Sequence, residues 1–416
     1  MESGAFGNCT SLTEITIPKS LEEAGREYGF GMYDYGPFCG CTNLKTVKLE
    51  KGLTQIAGNL FMRCYGLEDI DIPDTVTTIG ENAFKLCTSL ENVKMYNSID
   101  EINGRAFAGC TSLKSVSLPD SITGMGTEIF SGCTSLSSVK LPNKRVNIMS
   151  STFEGCTSLT EITLPDTVTT IQDHAFKNCT ALKTINWSKS ITDIQSYAFE
   201  NCDALTKLDI PNTVTNIGTG AFYECGGFTD IAVPNSVKSL GSRAFENCDA
   251  LAKVSISHSV TSMGEKAFYD CDALTDVKLG TGITQIPTSC FEHCDALPSV
   301  VLPYRVSKVG DNAFKGCSSL ESISLPYQVE TIEDNAFKNC VALTEITIPR
   351  ATTSISTSAF SYPAKMTVYG ISGTYAETFA NQQGMKFVNK AVKATNVVLD
   401  KTELTLNRGM KYSLTM

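Results

Sequence analysis

The chain has 416 residues, 42% of them hydrophobic, and a formal net charge of −10 at pH 7. It has no excess of positive charge to neutralise phosphates, which argues against nucleic acids and anionic membrane surfaces as partners. It also has no run of about 18 apolar residues, so the sequence predicts no membrane-spanning helix. A globular chain of this length would be expected to form two or three domains, but an internal repeat overrides that expectation.

The first residues already belong to the repeat, because Phe6 and Cys9 occupy positions that recur down the chain. A solenoid needs a cap to cover the core at its end, and no cap precedes Phe6. We therefore expect the natural chain to extend upstream of residue 1. On this expectation, the lack of a signal peptide says nothing about the compartment.

An insertion interrupts the repeat within residues 22–37. The regular spacing from proline to phenylalanine is 11 residues, as from Pro73 to Phe84, whereas Pro18 and Phe38 are 20 residues apart. The aromatic residues of the insertion that we select as candidate partner-binding residues are Tyr28, Phe30, Tyr33 and Tyr35. Insertions in repeat proteins often form loops on the binding face, and tyrosine offers a large contact area at low entropy cost. The alternative hypothesis is that these side chains fold back over the neighbouring coil as a partial cap.

The repeat unit is 23 residues long and predicts two short strands. In the unit that begins at Leu159, Ile162 and Leu164 alternate with polar residues, as in a strand with one buried face. Pro165 lacks the amide hydrogen of a strand ladder and marks the end of that strand. Val168 and Ile171 predict a shorter apolar segment on the opposite wall.

Each unit closes with the pattern A-F-x-x-C, as in Phe176 and Cys179. Two residues that are three apart share a face in a single helical turn, so we expect both side chains to point into the coil. Phenylalanine recurs at sixteen such positions from Phe6 to Phe360, and cysteine recurs at fifteen. The sequence therefore predicts a solenoid of about 16 coils with parallel strands on one face.

The cysteines allow three interpretations: buried thiols that act as small hydrophobes, disulfides between coils, or metal ligands. Equivalent positions in stacked coils point the same way, which does not give the converging geometry of a disulfide. The total of 17 cysteines is odd, so full pairing within the chain is impossible. Metal sites need clustered ligands such as CxxC, which do not occur. We favour the buried, reduced thiol and predict no metal site and no cofactor.

After the last coil the sequence predicts a small cap. A strand at 368–370 precedes a short amphipathic helix at about 375–383, and a closing strand follows at 385–388. Gly384 fits the usual signal for the end of a helix. We place the cap at about 364–388 and a linker with the start of another domain at 389–416.

The unit L-x-x-I-x-I-P…V-x-x-I-G-x-x-A-F-x-x-C, seen clearly from Thr75 to Phe84, resembles the BspA-like class of leucine-rich repeat. The likeness covers residues 1–388, and the segment after the cap resembles the opening strands of a bacterial group 2 Ig-like domain. The resemblance implies a right-handed leucine-rich solenoid from a bacterium, secreted or displayed at the cell surface. It also implies adhesion to host matrix proteins, host cells or other bacteria, and gives no binding residues that can be carried over.

The outward positions of the first strand, the x residues of L-x-x-I-x, are mostly hydroxyl-bearing or charged with both signs and include no aromatic residue. They lack the flat aromatic platforms of many single-stranded nucleic-acid sites, and a plain solvated sheet is the simplest interpretation. Trp187 is expected in the core. The other aromatic residues near the repeat edges are Tyr197, Tyr223, Tyr269, Tyr304 and Tyr327.

No catalytic constellation is evident. The adjacent pair His293 and Cys294 is the single Cys–His neighbour, and Cys294 belongs to the inward series, which argues against a nucleophile. No phosphate-binding glycine loop occurs in a strand-to-helix context. We therefore predict a non-enzymatic module that binds protein partners through the solenoid surface. The alternative is a non-binding spacer that presents other domains away from the cell wall.

Overall fold

The structure is a computed structural model that describes residues 5–21, 36–144, 146–361 and 363–389. It is a parallel β-solenoid in which each coil contributes a strand, a second shorter strand and a turn segment. Equivalent residues in successive coils lie side by side, with Cα partners 23 residues apart in the regular part, for example Glu161 beside Thr184. The predicted solenoid fold is therefore confirmed.

The first strand of each coil contributes to a long parallel column. Within the described residues this strand column contains Glu14–Ile17, Thr46–Leu49, Asp69–Asp71, Asn92–Lys94, Ser115–Ser117, Ser138–Lys140, Glu161–Thr163, Thr184–Asn186, Asp230–Val233, Lys253–Ile256, Asp276–Lys278, Ser299–Val301, Ser322–Ser324 and Glu345–Thr347. Leu208 joins the column through a bridge to Ile231. The apolar residues between the outward positions are buried or half-buried against the core, as the alternating pattern predicts.

The second strands are only two residues long. In the described part of the chain they are Gln55–Ile56, Thr78–Ile79, Glu101–Ile102, Gly124–Met125, Thr170–Ile171, Asp193–Ile194, Asn216–Ile217, Ser239–Leu240, Ser262–Met263, Gln285–Ile286, Lys308–Val309, Thr331–Ile332 and Ser354–Ile355. With the bridge at Ile148, they mark about fourteen complete coils. For the two further phenylalanine positions, Phe6 and Phe38, the structure describes no second strand.

The turn segment is not the helical turn that the A-F-x-x-C spacing suggested. Asn82 and Leu86, two residues on either side of Phe84, have left-handed backbone angles, with φ of 54° and 62°. In this conformation the N–H of Phe84 donates to the carbonyl oxygen of Ala106 in the next coil, at 2.8 Å. In a helix the N–H groups donate to carbonyl oxygens of the same segment. Here every second N–H group donates instead to a carbonyl oxygen of the neighbouring coil.

Stacked phenylalanine rings run through the core along the turn column. Sixteen described rings from Phe6 to Phe360 form fifteen successive contacts, with centroids 5.1–6.1 Å apart and planes within 21° of parallel. Almost all of these side chains are fully buried. Phe6, at the first described coil, is 44% exposed because no described coil covers its outer face.

Two prolines interrupt both strand columns at the same join. Gly264, Pro287 and Gly310 hold the same position in three successive coils. The N–H groups of Gly264 and Gly310 each donate to a carbonyl of the preceding coil, whereas Pro287 has no N–H group to donate. Pro298 likewise replaces the donor that Thr275 supplies one coil earlier. The strand pairing stops here in both columns, between Met263 and Gln285 and between Lys278 and Ser299. The turn column continues across the join, with Phe268 N–H donating to Cys290.

The cap matches the prediction closely. After a short 3-10 turn at Pro363–Lys365, the strand Thr367–Gly370 pairs with the last coil, and the strand Lys386–Asn389 pairs with it in turn. The helix Tyr375–Gln382 lies between them and buries Ala376, Phe379 and Ala380. Gly384 follows the helix with φ of 68°. None of the described helices is long and apolar enough to cross a membrane.

Candidate functional site

The interior of the solenoid contains thiols with a defined structural role. Cys179 is fully buried, and its thiol donates to the carbonyl oxygen of Phe153 in the preceding coil, at 3.1 Å. The backbone N–H of Cys156 donates to the same oxygen, at 3.1 Å, so that both lone pairs of this carbonyl are used. The same thiol bond, at 3.0–3.3 Å, is made by fourteen cysteines: Cys41, Cys64, Cys87, Cys110, Cys133, Cys156, Cys179, Cys202, Cys225, Cys248, Cys271, Cys294, Cys317 and Cys340.

Burial keeps these thiols protonated. It raises the pKa of Cys133 to about 12, and does the same for Cys225 and Cys271. A neutral, hydrogen-bonded thiol is a poor nucleophile and a poor metal ligand. The buried-thiol interpretation is thus confirmed for the fourteen cysteines of this column. Among the described residues, no three His, Cys, Asp or Glu side chains form a group that could hold a metal ion.

Cys9 departs from the prediction that all fifteen repeat cysteines point inward. It is exposed, although its sequence position is equivalent to the others. The difference has a simple cause, because no described coil precedes Cys9 to supply a covering wall and a phenylalanine carbonyl.

The four residues chosen from the insertion, Tyr28, Phe30, Tyr33 and Tyr35, lie outside the described residues. The described residues next to the insertion are both packed: Leu21 is buried and donates its N–H to Pro18, at 3.0 Å. Gly36 lies so close to the next coil that an added Cβ would be 1.9 Å from the carbonyl oxygen of Asn59.

The outward side chains of the first strands form the strand surface. Several of its lysines pair with carboxylates of the neighbouring coil, as in Lys114 with Glu91 at 2.6 Å and Lys94 with Asp71 at 3.6 Å. These side chains are between 48% and 67% exposed, so each pair contributes little to stability. The pairing runs along the solenoid axis and neutralises most of the local charge, as expected of a solvated sheet.

Two shallow depressions open on the strand surface. One is lined by polar and apolar residues of 92–97 and 115–120 and by Lys140, and it includes Tyr96, whose ring lies 4.8 Å from the ammonium of Lys94. The other is lined by Lys207, Asp209, Asp230 and Lys253, among others. In the second depression the charged groups already pair with one another, as Lys207 does with Asp209 at 2.6 Å.

The turn surface, formed by the outward residues around each A-F-x-x-C segment, is less uniform. At the position directly after the stacked phenylalanine, five successive coils alternate between glutamate and tyrosine. We call this set the Glu–Tyr column, and its members are Glu200, Tyr223, Glu246, Tyr269 and Glu292. The two tyrosines and Glu200 are half-buried, whereas Glu246 and Glu292 are buried.

The outer glutamates of the Glu–Tyr column are neutralised by lysines at its two ends. Lys177 lies 3.1 Å from Glu200, and Lys315 lies 2.7 Å from Glu292, each one coil beyond the glutamate. Glu246 in the centre has tyrosines in those two neighbouring positions. Its Oε2 makes no hydrogen bond, and the Nε of Arg243 is 3.7 Å away. Burial raises the pKa of the Glu246 carboxyl, and nearby Asp270 and Glu224 add to the rise.

Further aromatic side chains extend this part of the turn surface. His174 stacks on Tyr197 with centroids 5.4 Å apart, and Tyr197 meets Tyr223 edge-on at 6.3 Å. Trp187, by contrast, packs against the core with its edge toward Phe199, as predicted. The sequence singled out the tyrosines but missed the glutamates between them. Comparing residues at intervals of 23 would have found the alternation.

Tyr304 and Tyr327 form the predicted step on the edge after the first strand. Tyr327 is 65% exposed, and the side chain of Gln328 donates to its hydroxyl at 3.2 Å. Arg305 donates to the Tyr304 hydroxyl at 3.0 Å and lies over the ring. The hydroxyl of each tyrosine therefore accepts a hydrogen bond from the residue that follows it in the sequence.

The strand columns, the 23-residue period and the buried leucine, phenylalanine and cysteine positions define a leucine-rich repeat solenoid. The BspA type leucine rich repeat region (6 copies) matches residues 1–31, 34–137, 125–252 and 238–367. The chain therefore belongs to the BspA-type leucine-rich repeat family.

Solved structures of bacterial leucine-rich repeat proteins are similar to this chain. A leucine-rich repeat protein from Bacteroides ovatus is 28% identical, with a TM-score of 0.74, and the match covers 91% of this chain and 92% of that one. A leucine rich cell surface protein from Faecalibacterium prausnitzii is 30% identical over 84% and 87% of the two chains, with a TM-score of 0.48. The pneumococcal vaccine antigen PcpA is 17% identical over 92% and 90%, with a TM-score of 0.45. No curated protein sequence matches this chain.

Proposed function

We propose that this chain is a bacterial cell-surface or secreted module that binds protein partners and acts in adhesion or host interaction. Membership of the BspA-type family and the similarity to the Bacteroides ovatus protein support a bacterial leucine-rich repeat scaffold. Solenoids of this kind offer long surfaces and no enclosed reaction site. The module is accordingly proposed to be non-enzymatic and to need no cofactor.

The observation that carries this proposal is the uneven composition of the turn surface. Between His174 and Asp295 it concentrates half-buried aromatic rings and carboxylates, whereas equivalent positions in coils 104–155 are mostly glycine, alanine, serine and threonine. A pure spacer has no need of such a patch. Aromatic side chains that are already partly ordered are the residues that most often carry binding energy in protein interfaces.

The spacer remains the second candidate, and the strand surface favours it. Its serine and threonine residues and its axial ion pairs form a uniform solvated face. On this proposal the module holds neighbouring domains away from the cell wall. We further propose that residues 389–416 begin a bacterial Ig-like domain, and that the insertion residues Tyr28, Phe30, Tyr33 and Tyr35 contribute to partner binding.

A binding screen with the full chain tests these proposals. The immobilised protein is offered extracellular matrix proteins and epithelial surface proteins, and each hit is re-measured with a variant in which Tyr197, Tyr223 and Tyr269 are changed to serine. A fall in binding of at least tenfold in this triple variant supports the turn surface as the binding site. Loss on deletion of the nine-residue excess in 22–37, with no loss in the triple variant, would assign binding to the insertion instead. If no protein binds above background in any arm, the result supports the spacer function.

A further inference from the structure

Glu246 lies at the floor of a slot between two tyrosines. The coils are in register here, because Glu224 N–H donates to the Glu246 carbonyl and Asn247 N–H donates to the Tyr269 carbonyl, both at 2.9 Å. Tyr223 and Tyr269 therefore project from the coils before and after Glu246. Two coil spacings separate the tyrosines, about 10 Å in all, and the shorter glutamate between them is only 5% exposed.

The carboxylate of Glu246 lacks the partner that its neighbours have. Glu200 and Glu292 each have a lysine ammonium within 3.1 Å, whereas Oε2 of Glu246 has no hydrogen bond. Arg243 approaches to 3.7 Å, which is beyond hydrogen-bond distance, and its side chain is 44% exposed. A buried carboxylate without donors is costly to the fold, so this site would gain from a cation that supplies them.

The cations Arg243 and Lys266 lie near the slot and lower the pKa of the Glu246 carboxyl, but neither makes a hydrogen bond to its Oε2. The ammonium of Lys266 lies 4.7 Å over the ring of Tyr269 rather than on the carboxylate. Two further carboxylates, Asp270 and Glu224, lie close enough to raise the pKa of Glu246 by repulsion. The surroundings therefore attract positive charge, and the contact of Lys266 with Tyr269 shows that a cation can lie on these rings.

We propose that the slot formed by Tyr223, Glu246 and Tyr269 binds an arginine side chain from a basic segment of a protein partner. A guanidinium is planar, stacks on tyrosine rings and donates two parallel N–H bonds to a carboxylate. It reaches Glu246 by displacing the exposed side chain of Arg243. This inference rests on the proposed partner-binding function and names the chemistry of the partner at one place on the turn surface.

The test measures binding of a dye-labelled nona-arginine peptide to the full chain by fluorescence anisotropy at 150 mM salt, with nona-lysine as the comparison. Glu246→Gln removes the charge and keeps the shape of the side chain, and Y223L/Y269L removes the aromatic walls without changing any charge. Glu161→Gln on the strand surface is the matched control for net charge, because Glu161 is exposed. Thermal melts check that each variant folds.

We expect Glu246→Gln and Y223L/Y269L each to weaken binding about tenfold and Glu161→Gln to change it less than twofold, with the arginine peptide bound more tightly than the lysine peptide. Equal losses in Glu246→Gln and Glu161→Gln would mean diffuse charge attraction and would overturn the slot, as would unchanged binding in Glu246→Gln. A protein partner found in the screen whose binding does not respond to Glu246→Gln would leave the proposed function standing and reject this inference.

Discussion

The thiol of Cys133 donates a hydrogen bond to the carbonyl oxygen of Phe107, 26 residues earlier and one coil away, at 3.2 Å. The N–H of Cys110 donates to the same oxygen at 3.2 Å. The carbonyl belongs to a turn in which alternate N–H groups point to the next coil, and the thiol completes the hydrogen bonding of this carbonyl from the coil that follows. Cysteine suits this place because it is small and apolar and still carries a donor.

The role of this donor predicts an order of stability among variants. Cys133→Ala removes the sulfur and leaves a small cavity and a carbonyl with one partner, so we expect a loss of about 2 kcal/mol. Cys133→Ser keeps a donor and should lose less. Urea unfolding followed by circular dichroism gives the comparison, with Cys9→Ala at an exposed site as the control. If serine were as destabilising as alanine, the thiol would act through packing alone.

Thiol labelling should separate Cys9 from the remaining cysteines. Sixteen of the 17 cysteines are buried and Cys9 is exposed. We therefore expect a bulky thiol reagent at pH 7.5 to modify about one thiol per chain rapidly, and all of them once urea is added. The variant Cys9→Ser should abolish the rapid phase. Rapid modification of most thiols without denaturant would contradict the buried column.

The buried thiols predict a steep loss of stability in alkali. The folded-state pKa of Cys133, Cys225, Cys271 and Cys340 is raised to about 12 from an ordinary value of 9.0. Above pH 9 the unfolded chain loses these protons while the folded chain keeps them. The contribution is thus fully present below pH 9 and is lost as the pH rises toward 12. Each thiol lowers the free energy of unfolding by about 1.4 kcal/mol per pH unit in that range.

Four such thiols together give about 5 kcal/mol per pH unit, and the other thiols whose pKa is raised by burial act in the same direction. Urea midpoints measured at pH 7.5, 8.5, 9.5 and 10 under reducing conditions show the effect. We expect little change up to pH 8.5 and a sharp fall above 9. A flat profile through pH 10 would show that the thiols ionise equally in both states.

The sequence predicted the coil, the second short strand and the cap, because each depends on spacing that the chain repeats. Ile162, Leu164, Val168 and Ile171 point inward as expected, since alternation and burial are local properties. The helical turn at Phe176 and Cys179 was wrong. Residues three apart share a side both in a helix and in a turn with left-handed residues, so spacing alone does not separate the two.

The signal that could have separated them is the residue two places after the phenylalanine. It is asparagine or glycine in many coils, as in Asn178 and Gly132, and these are the residues that most readily adopt positive φ. The slot at Glu246 was missed for a different reason. Its members are 23 residues apart, so they are neighbours only once the coils are stacked, and the missing partner of a carboxylate is visible only in three dimensions.

The phenylalanine stack should contribute unequally along the solenoid. Phe199 lies between Phe176 and Phe222, with ring centroids at 5.1 and 5.4 Å and nearly parallel planes. Phe199→Ala should therefore cost about 3–5 kcal/mol. Phe6→Ala, at a ring that is 44% exposed, should cost less than half as much. Equal effects on thermal unfolding would mean that burial does not set the contribution of each ring.

The join at Pro287 and Pro298 should open more readily than the join one coil earlier, where both strand columns are paired. Neither proline can donate to the coil before it, so the two strand columns are unpaired here. The backbone bonds that cross the join are those of the turn column and one from the Ala296 N–H to the Asp272 carbonyl, at 3.3 Å. Coils that share fewer hydrogen bonds separate more readily. We expect peptides covering 283–301 to exchange amide hydrogens faster than the equivalent peptides one coil earlier. The variant P287Q/P298T uses residues found at or near these positions in other coils, such as Gln195 and Thr275, and should slow that exchange. Unchanged exchange in this variant would mean that the missing donors do not control the opening.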